Sequence, residues 1–84
     1  MSRPINVITG SQIRAARGLL SWSASDLAER AGTNRFTIQR LEQHDGVPPS
    51  RSHTLVDLQR AFEDAGVEFI GTPEEPGVIL RRKA

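Results

Sequence analysis

Residues 23–42, SASDLAERAGTNRFTIQRLE, decide how this chain folds. Ser23 with Asp26 three residues on forms a helix-start box. The serine side chain accepts from an amide that the helix start leaves unpaired, and the acid suits the positive end of the helix dipole. Leu27, Ala28 and Ala31 then share one face. Gly32 follows at once, and glycine readily takes the left-handed conformation that ends a helix. Thr33 bridges the turn, and Asn34 caps a second helix running through about Gln43. On that helix Ile38 and Leu41 point one way, which leaves Arg35, Phe36, Gln39 and Arg40 mostly outside. Ala28 and Ala31 are small enough to let the two helices approach closely. Helices this short cannot bury themselves, so the pair needs other helices around it.

Those partners can be read on either side. Upstream, Thr9 or Ser11 can cap a first helix to about Leu20, with Ile13, Ala16 and Leu20 on one stripe. Ser21-Trp22 is a tight connection, and Trp22 is expected to plug the core there. Downstream, Asp45-Gly46-Val47-Pro48-Pro49 is a loop, because two prolines and a glycine stop any helix. Ser50 or Ser52 then caps a fourth helix ending near Ala65, with Leu55, Leu58, Phe62 and Ala65 along it and Gly66 as its stop. Beyond Gly66 the period changes. Val67-Glu68-Phe69-Ile70 and Val78-Ile79-Leu80 are rich in β-formers, and the glycine- and proline-bearing segment 71–77 between them turns the chain. A hairpin is expected. Two strands alone are marginal and their edges are open. They must lie on the helices, gain a third strand from Ile5, Val7 and Ile8, or pair with the same strands of another subunit. The expected fold class is mostly α, a bundle of four to five short helices with a C-terminal β-hairpin. One domain spans 1–84, with the bundle in 9–65 and the hairpin tail in 66–84 as a candidate dimerisation element.

Eighty-four residues allow one domain with a modest core. Cysteine is absent, so neither a disulfide nor a thiol metal site is expected, which fits a reducing cytoplasm. No apolar run is long enough to span a membrane, and MSRPINVITG lacks a signal-peptide pattern. The expected location is cytoplasmic. Net charge is only +1, but residues 1–41 carry six Arg against two acids, while residues 42–84 carry five basic residues against eight acids. The half holding the central segment is therefore the basic one. Ten of the eleven cations are Arg, which grips phosphate or guanine in a two-pronged way that Lys cannot.

With these residues in view, residues 13–58 resemble the lambda-repressor-like, Cro-type family of helix-turn-helix transcriptional regulators of bacteria and phages. The resemblance rests on Ile13-Arg14-x-x-Arg17, then Ser23-x-x-x-Leu27-Ala28-x-x-Ala31-Gly32, then Thr37-Ile38-x-Arg40-Leu41-Glu42, in that order and spacing. It implies a compact bundle of four or five helices, usually dimeric, that binds operator DNA with helix three in the major groove. It also implies a structural salt bridge between Arg17 and Glu42, joining helices one and three. Three positions depart from the family pattern. Ala24 stands where a glutamine commonly grips the backbone. His44 stands where a glycine commonly ends helix three, and histidine tolerates a left-handed backbone better than most residues. The tail after Gly66 is not shared across the family.

The resemblance makes Asn34, Arg35, Phe36, Thr37, Gln39, Arg40, Ser23 and Arg51 the candidate DNA-binding residues. Arg35 would contact guanine or a nearby phosphate, and Arg40 either contacts DNA or pairs with Glu29 or Glu42. Gln39 can bond adenine in a bidentate way or remain a polar surface residue. Phe36 either touches a thymine methyl or packs against helix two or the arm. Asn34 and Thr37 serve the helix start first and phosphate second. Arg51 meets the backbone or stays a loop charge, and Arg81-Arg82-Lys83 is read as a solvated end. His44 and His53, without cysteine or a carboxylate set, do not make a metal site.

The expected function is therefore a dimeric, sequence-specific DNA-binding regulator, a repressor or autoregulator reading an inverted repeat. Its partners would be an operator duplex, a second copy of itself, and RNA polymerase or another protein, with no cofactor and no membrane. The alternative is an antitoxin or other protein-interaction module of a toxin–antitoxin pair, with the hairpin offering an edge to its partner. No glycine-rich phosphate loop, nucleophile set or metal cluster is present, so an enzyme is not expected.

Overall fold

The computed structural model describes residues 8–50 and 52–82. Four helices are found there, α1 (Gly10–Leu20), α2 (Ala24–Ala31), α3 (Arg35–Glu42) and α4 (Ser52–Asp64). An antiparallel hairpin of β1 (Val67–Gly71) and β2 (Pro76–Leu80) follows. The expected third strand from Ile5 and Val7 lies outside the described residues. Ile8 is buried ahead of α1.

Each helix start has a local cause. Thr9 caps α1, with its side chain accepting from the Gln12 amide and the Gln12 side chain accepting from the Thr9 amide. Ser23 and Asp26 form the same reciprocal box on α2, and Asn34 caps α3 by accepting from the Thr37 amide. The helix ends differ from one another. Gly32 closes α2 at φ 74°, as its position predicts. Ser21 closes α1 at φ 57°, the left-handed region that a serine seldom visits. Its amide donates to the carbonyls of Arg17 and Gly18, and these bonds hold it there.

His44 does not take the left-handed conformation the sequence allowed for. Ser21 is the non-glycine residue with positive φ among those described. α3 instead tightens at its end, with the amides of Gln43 and His44 donating three residues back to Arg40 and Leu41. This 3₁₀-type closure meets the last carbonyls without a left-handed residue.

α2 packs against α3 and α4, α1 against α3 and β2, and α4 against β1. The core gathers Ile13, Ala16, Leu27, Ile38, Leu41, Leu58 and Phe62, all of them sealed from solvent. The hairpin completes it rather than trailing from it. Val67 and Phe69 of β1 are buried, and Phe69 meets Phe62 edge to face at 5.7 Å. Gln12 ties the hairpin to α1 by donating to the carbonyls of Ile70 and Gly77. Trp22, expected as a core plug, is only half-buried. It stacks on Phe62 at 5.7 Å, and the Arg30 guanidinium lies 4.4 Å from its ring centre, so it acts as a lid over the core edge.

Candidate nucleic-acid interface

α3 is held by its inner face and by its C-terminal end. Ile38 and Leu41 are fully buried on the inner face. At the end, Arg17 of α1 donates to both carboxylate oxygens of Glu42, at 2.6 and 2.8 Å, and to the Trp22 carbonyl at 2.9 Å. The Glu42 side chain is only 9% exposed, and the hydrogen bonds from Arg17 push that guanidinium further up from its ordinary value. This is the pair implied by the resemblance. Arg14, one turn earlier on α1, adds a contact to the Glu42 backbone carbonyl and an ion pair with Asp45 at 2.9 Å. Two guanidinium groups thus sit at the negative end of the α3 dipole.

The close fit at this end needs a glycine. A Cβ on Gly10 would overlap the carbonyl oxygen of His44 and lie 2.6 Å from that of Leu41. The Gly10 amide donates to the Gly46 carbonyl at 2.9 Å. Sequence reading did not single out Gly10, Gln12 or Arg14 for these roles. Arg14 carried a usable signal, since it lies three residues before Arg17 on the same helix face. Gly10 carried none, because a close approach between elements leaves no mark on local periodicity.

The outer face of α3 is the reverse of its inner face. Arg35, Phe36, Gln39 and Arg40 are all exposed, and Thr37 is half-buried. Among the described residues neither Arg35 nor Arg40 has a carboxylate partner. Glu42, one of the two acids considered as a partner for Arg40, is already taken by Arg17. The guanidinium of Arg35 lies instead 5.0 Å from the centre of the Phe36 ring. Phe36 is 67% exposed, so packing against α2 does not account for it.

Asn34 stands at the N-terminal end of α3, with its side-chain oxygen occupied by the cap. Ser23 is exposed at the start of α2 and engaged with Asp26. The Ser23 amide, and after it the Ser23 hydroxyl, hold the Asp26 carboxyl below its usual range. Arg51 lies outside the described residues. The structure therefore gathers Arg35, Phe36, Gln39 and Arg40 on one short helix, with Thr37 between them and Asn34 as its cap.

A groove lies away from α3. About 690 Å³ in volume, it runs between the ends of α1 and α4 and the end of β2, lined by Leu19, Leu20, Asp64 and Leu80 among others, and contains none of the predicted site residues. Among the described residues no group of His, Asp or Glu is placed to hold a metal ion, and no helix is long and apolar enough to cross a membrane. Comparison with protein-family models gives no match, and comparison with curated proteins finds no relative.

Proposed function

We propose that this protein is a sequence-specific DNA-binding transcriptional regulator of the lambda-repressor-like, helix-turn-helix kind, reading an operator with α3 in the major groove. One observation carries the reading. α3 exposes Arg35, Gln39 and Arg40 together, with no described acid paired to either arginine, while its other side and its C-terminal end are tied into the protein. A duplex supplies what such a face lacks, namely phosphate charge and base edges.

In this mechanism the two arginines fork onto guanine O6 and N7, and Gln39 pairs with adenine. Asn34, Thr37 and Ser23 meet phosphates, which set register and orientation without reading sequence. The bonds from Arg14 and Arg17 fix the pitch of α3 against α1, so the reader enters the groove at one angle. A twofold pair of subunits would read an inverted repeat with half-sites ~34 Å apart. The described part of the chain measures 31 × 28 × 19 Å, compatible with two copies side by side over that span.

The test is selection of bound duplexes from a random pool at physiological ionic strength, followed by titration of the enriched site. Enrichment of one palindromic motif is expected. Recovery of no preferred sequence would defeat the proposal. A tight stoichiometric complex with a toxic protein, found in place of DNA selection, would carry the antitoxin reading instead.

A further inference from the structure

The most exposed large apolar side chain among the described residues is Phe36, at 67%. It sits in the first turn of α3, and the surface around it is polar. Arg35, Gln39 and Arg40 are exposed on the same short helix, and Asn34 is exposed at its cap. An apolar protein partner would need more apolar surface than one ring, because stable interfaces centre on clusters of buried side chains. The occupant that fits is one that brings a single small apolar spot within a polar, anionic surface. The C5-methyl group of thymine is such a spot in the major groove.

The second observation is the pairing with Arg35. Its guanidinium carbon is 5.0 Å from the Phe36 ring centre. Successive bases on one strand are ~3.4 Å apart along the duplex axis, so two groups this close address adjacent pairs. The cation–π contact also restrains a side chain that would otherwise be mobile.

Resting on the DNA-reading proposal above, we infer that Arg35 and Phe36 act as one unit that reads a thymine–guanine step, the arginine forking onto guanine while the ring covers the thymine methyl. Phe36 then determines specificity through a methyl group rather than through a hydrogen bond. The chemistry predicts discrimination between thymine and uracil, which differ only in that methyl.

The experiment starts from the duplex enriched by selection with the wild-type protein. Each thymine beside a guanine is replaced in turn by uracil, and binding is measured by fluorescence anisotropy for wild type and Phe36→Ala. One buried methyl corresponds to about a fourfold change in affinity at one half-site. The wild type is expected to lose about that factor at one such position. Phe36→Ala, whose fold circular dichroism will show to be intact, is expected to bind the thymine and uracil duplexes equally. Three results would overturn the inference while leaving the DNA-reading proposal standing: an enriched site without a thymine–guanine step, a wild type indifferent to uracil at every such position, or a Phe36→Ala protein that keeps the thymine preference. Failure to enrich any motif would sink the DNA-reading proposal itself, and this inference with it.

Discussion

The C-terminal end of α3 and its outward face both involve arginines, and they use them in opposite ways. At the end, Arg14 and Arg17 reach across from α1 and are engaged by Glu42, Asp45 and the Trp22 carbonyl. On the face, Arg35 and Arg40 have no described carboxylate, and Arg35 rests on an exposed aromatic ring. Arg30 belongs with the first group, since it lies over Trp22. The difference separates cations that hold the fold from cations available to a ligand. Charge count along the chain cannot do this, because all five lie in the same basic half.

Mutations can break this contrast, beginning with the largest effect. Arg35→Ala with Arg40→Ala is expected to weaken binding to the selected operator by about 4 kcal/mol, roughly a thousandfold, if each arginine makes one bidentate base contact. Its urea midpoint should match wild type. Operator affinity within tenfold of wild type in that double variant contradicts the assignment. Glu42→Ala should do the opposite and cost about 3 kcal/mol of stability, because it leaves Arg17 unpaired at a site only 24% exposed. Urea denaturation checks this, and a second change, Arg17→Met with Glu42→Leu, is expected to recover much of the loss. An unchanged midpoint in Glu42→Ala would show that the pair does not hold α3.

Gly10→Val tests the same end sterically. Pushing a side chain against the Leu41 and His44 carbonyls should cost about 2 kcal/mol, read again from the urea midpoint. The smallest effects concern the start of α2, where Ser23 and Asp26 cap the helix. Ser23→Ala should lower stability by about 1 kcal/mol. The Asp26 carboxyl is held below its ordinary value of 3.8 by Ser23. Its contribution is therefore present above the unfolded value and is lost as pH falls through the lower folded one. Asp26→Asn should flatten that part of the acid dependence, as measured by thermal midpoints from neutral pH down through the ordinary carboxylate range. An acid slope identical to that of wild type would remove Asp26 from the capping account.

Truncation after Gly66 is not a clean probe of subunit association. It removes Val67 and Phe69, which are buried in the same core as Phe62. A change on the outer face of the hairpin, such as Ile70→Lys, leaves that core intact and serves better, with association read by sedimentation.

The elements themselves were legible because their causes are local. Ser23 with Asp26, the left-handed Gly32, the Asn34 cap and the change of period at Gly66 each depend on residues a few positions apart, and the structure has each element where those signals stand. Most of the candidate face was legible for the same reason, since helical spacing alone separates Ile38 and Leu41 from Arg35, Gln39 and Arg40. Less legible were features set by segments distant in sequence. Gly10 against His44, Gln12 against the hairpin carbonyls and Arg14 against Asp45 span 31 to 65 residues for the bonded pairs. Two helix endings also escaped, since Ser21 became left-handed and His44 did not.

Sequence alone determined the helices, the hairpin and the side of α3 that faces water, because caps, glycines and apolar spacing act within a turn or two of backbone. Tertiary structure alone decided that Arg14 and Arg30 are engaged, that the hairpin completes the core, and that the Arg35 guanidinium lies over the Phe36 ring. Those outcomes depend on which carboxylates, carbonyls and rings other segments bring within reach, and only the packed chain sets those distances.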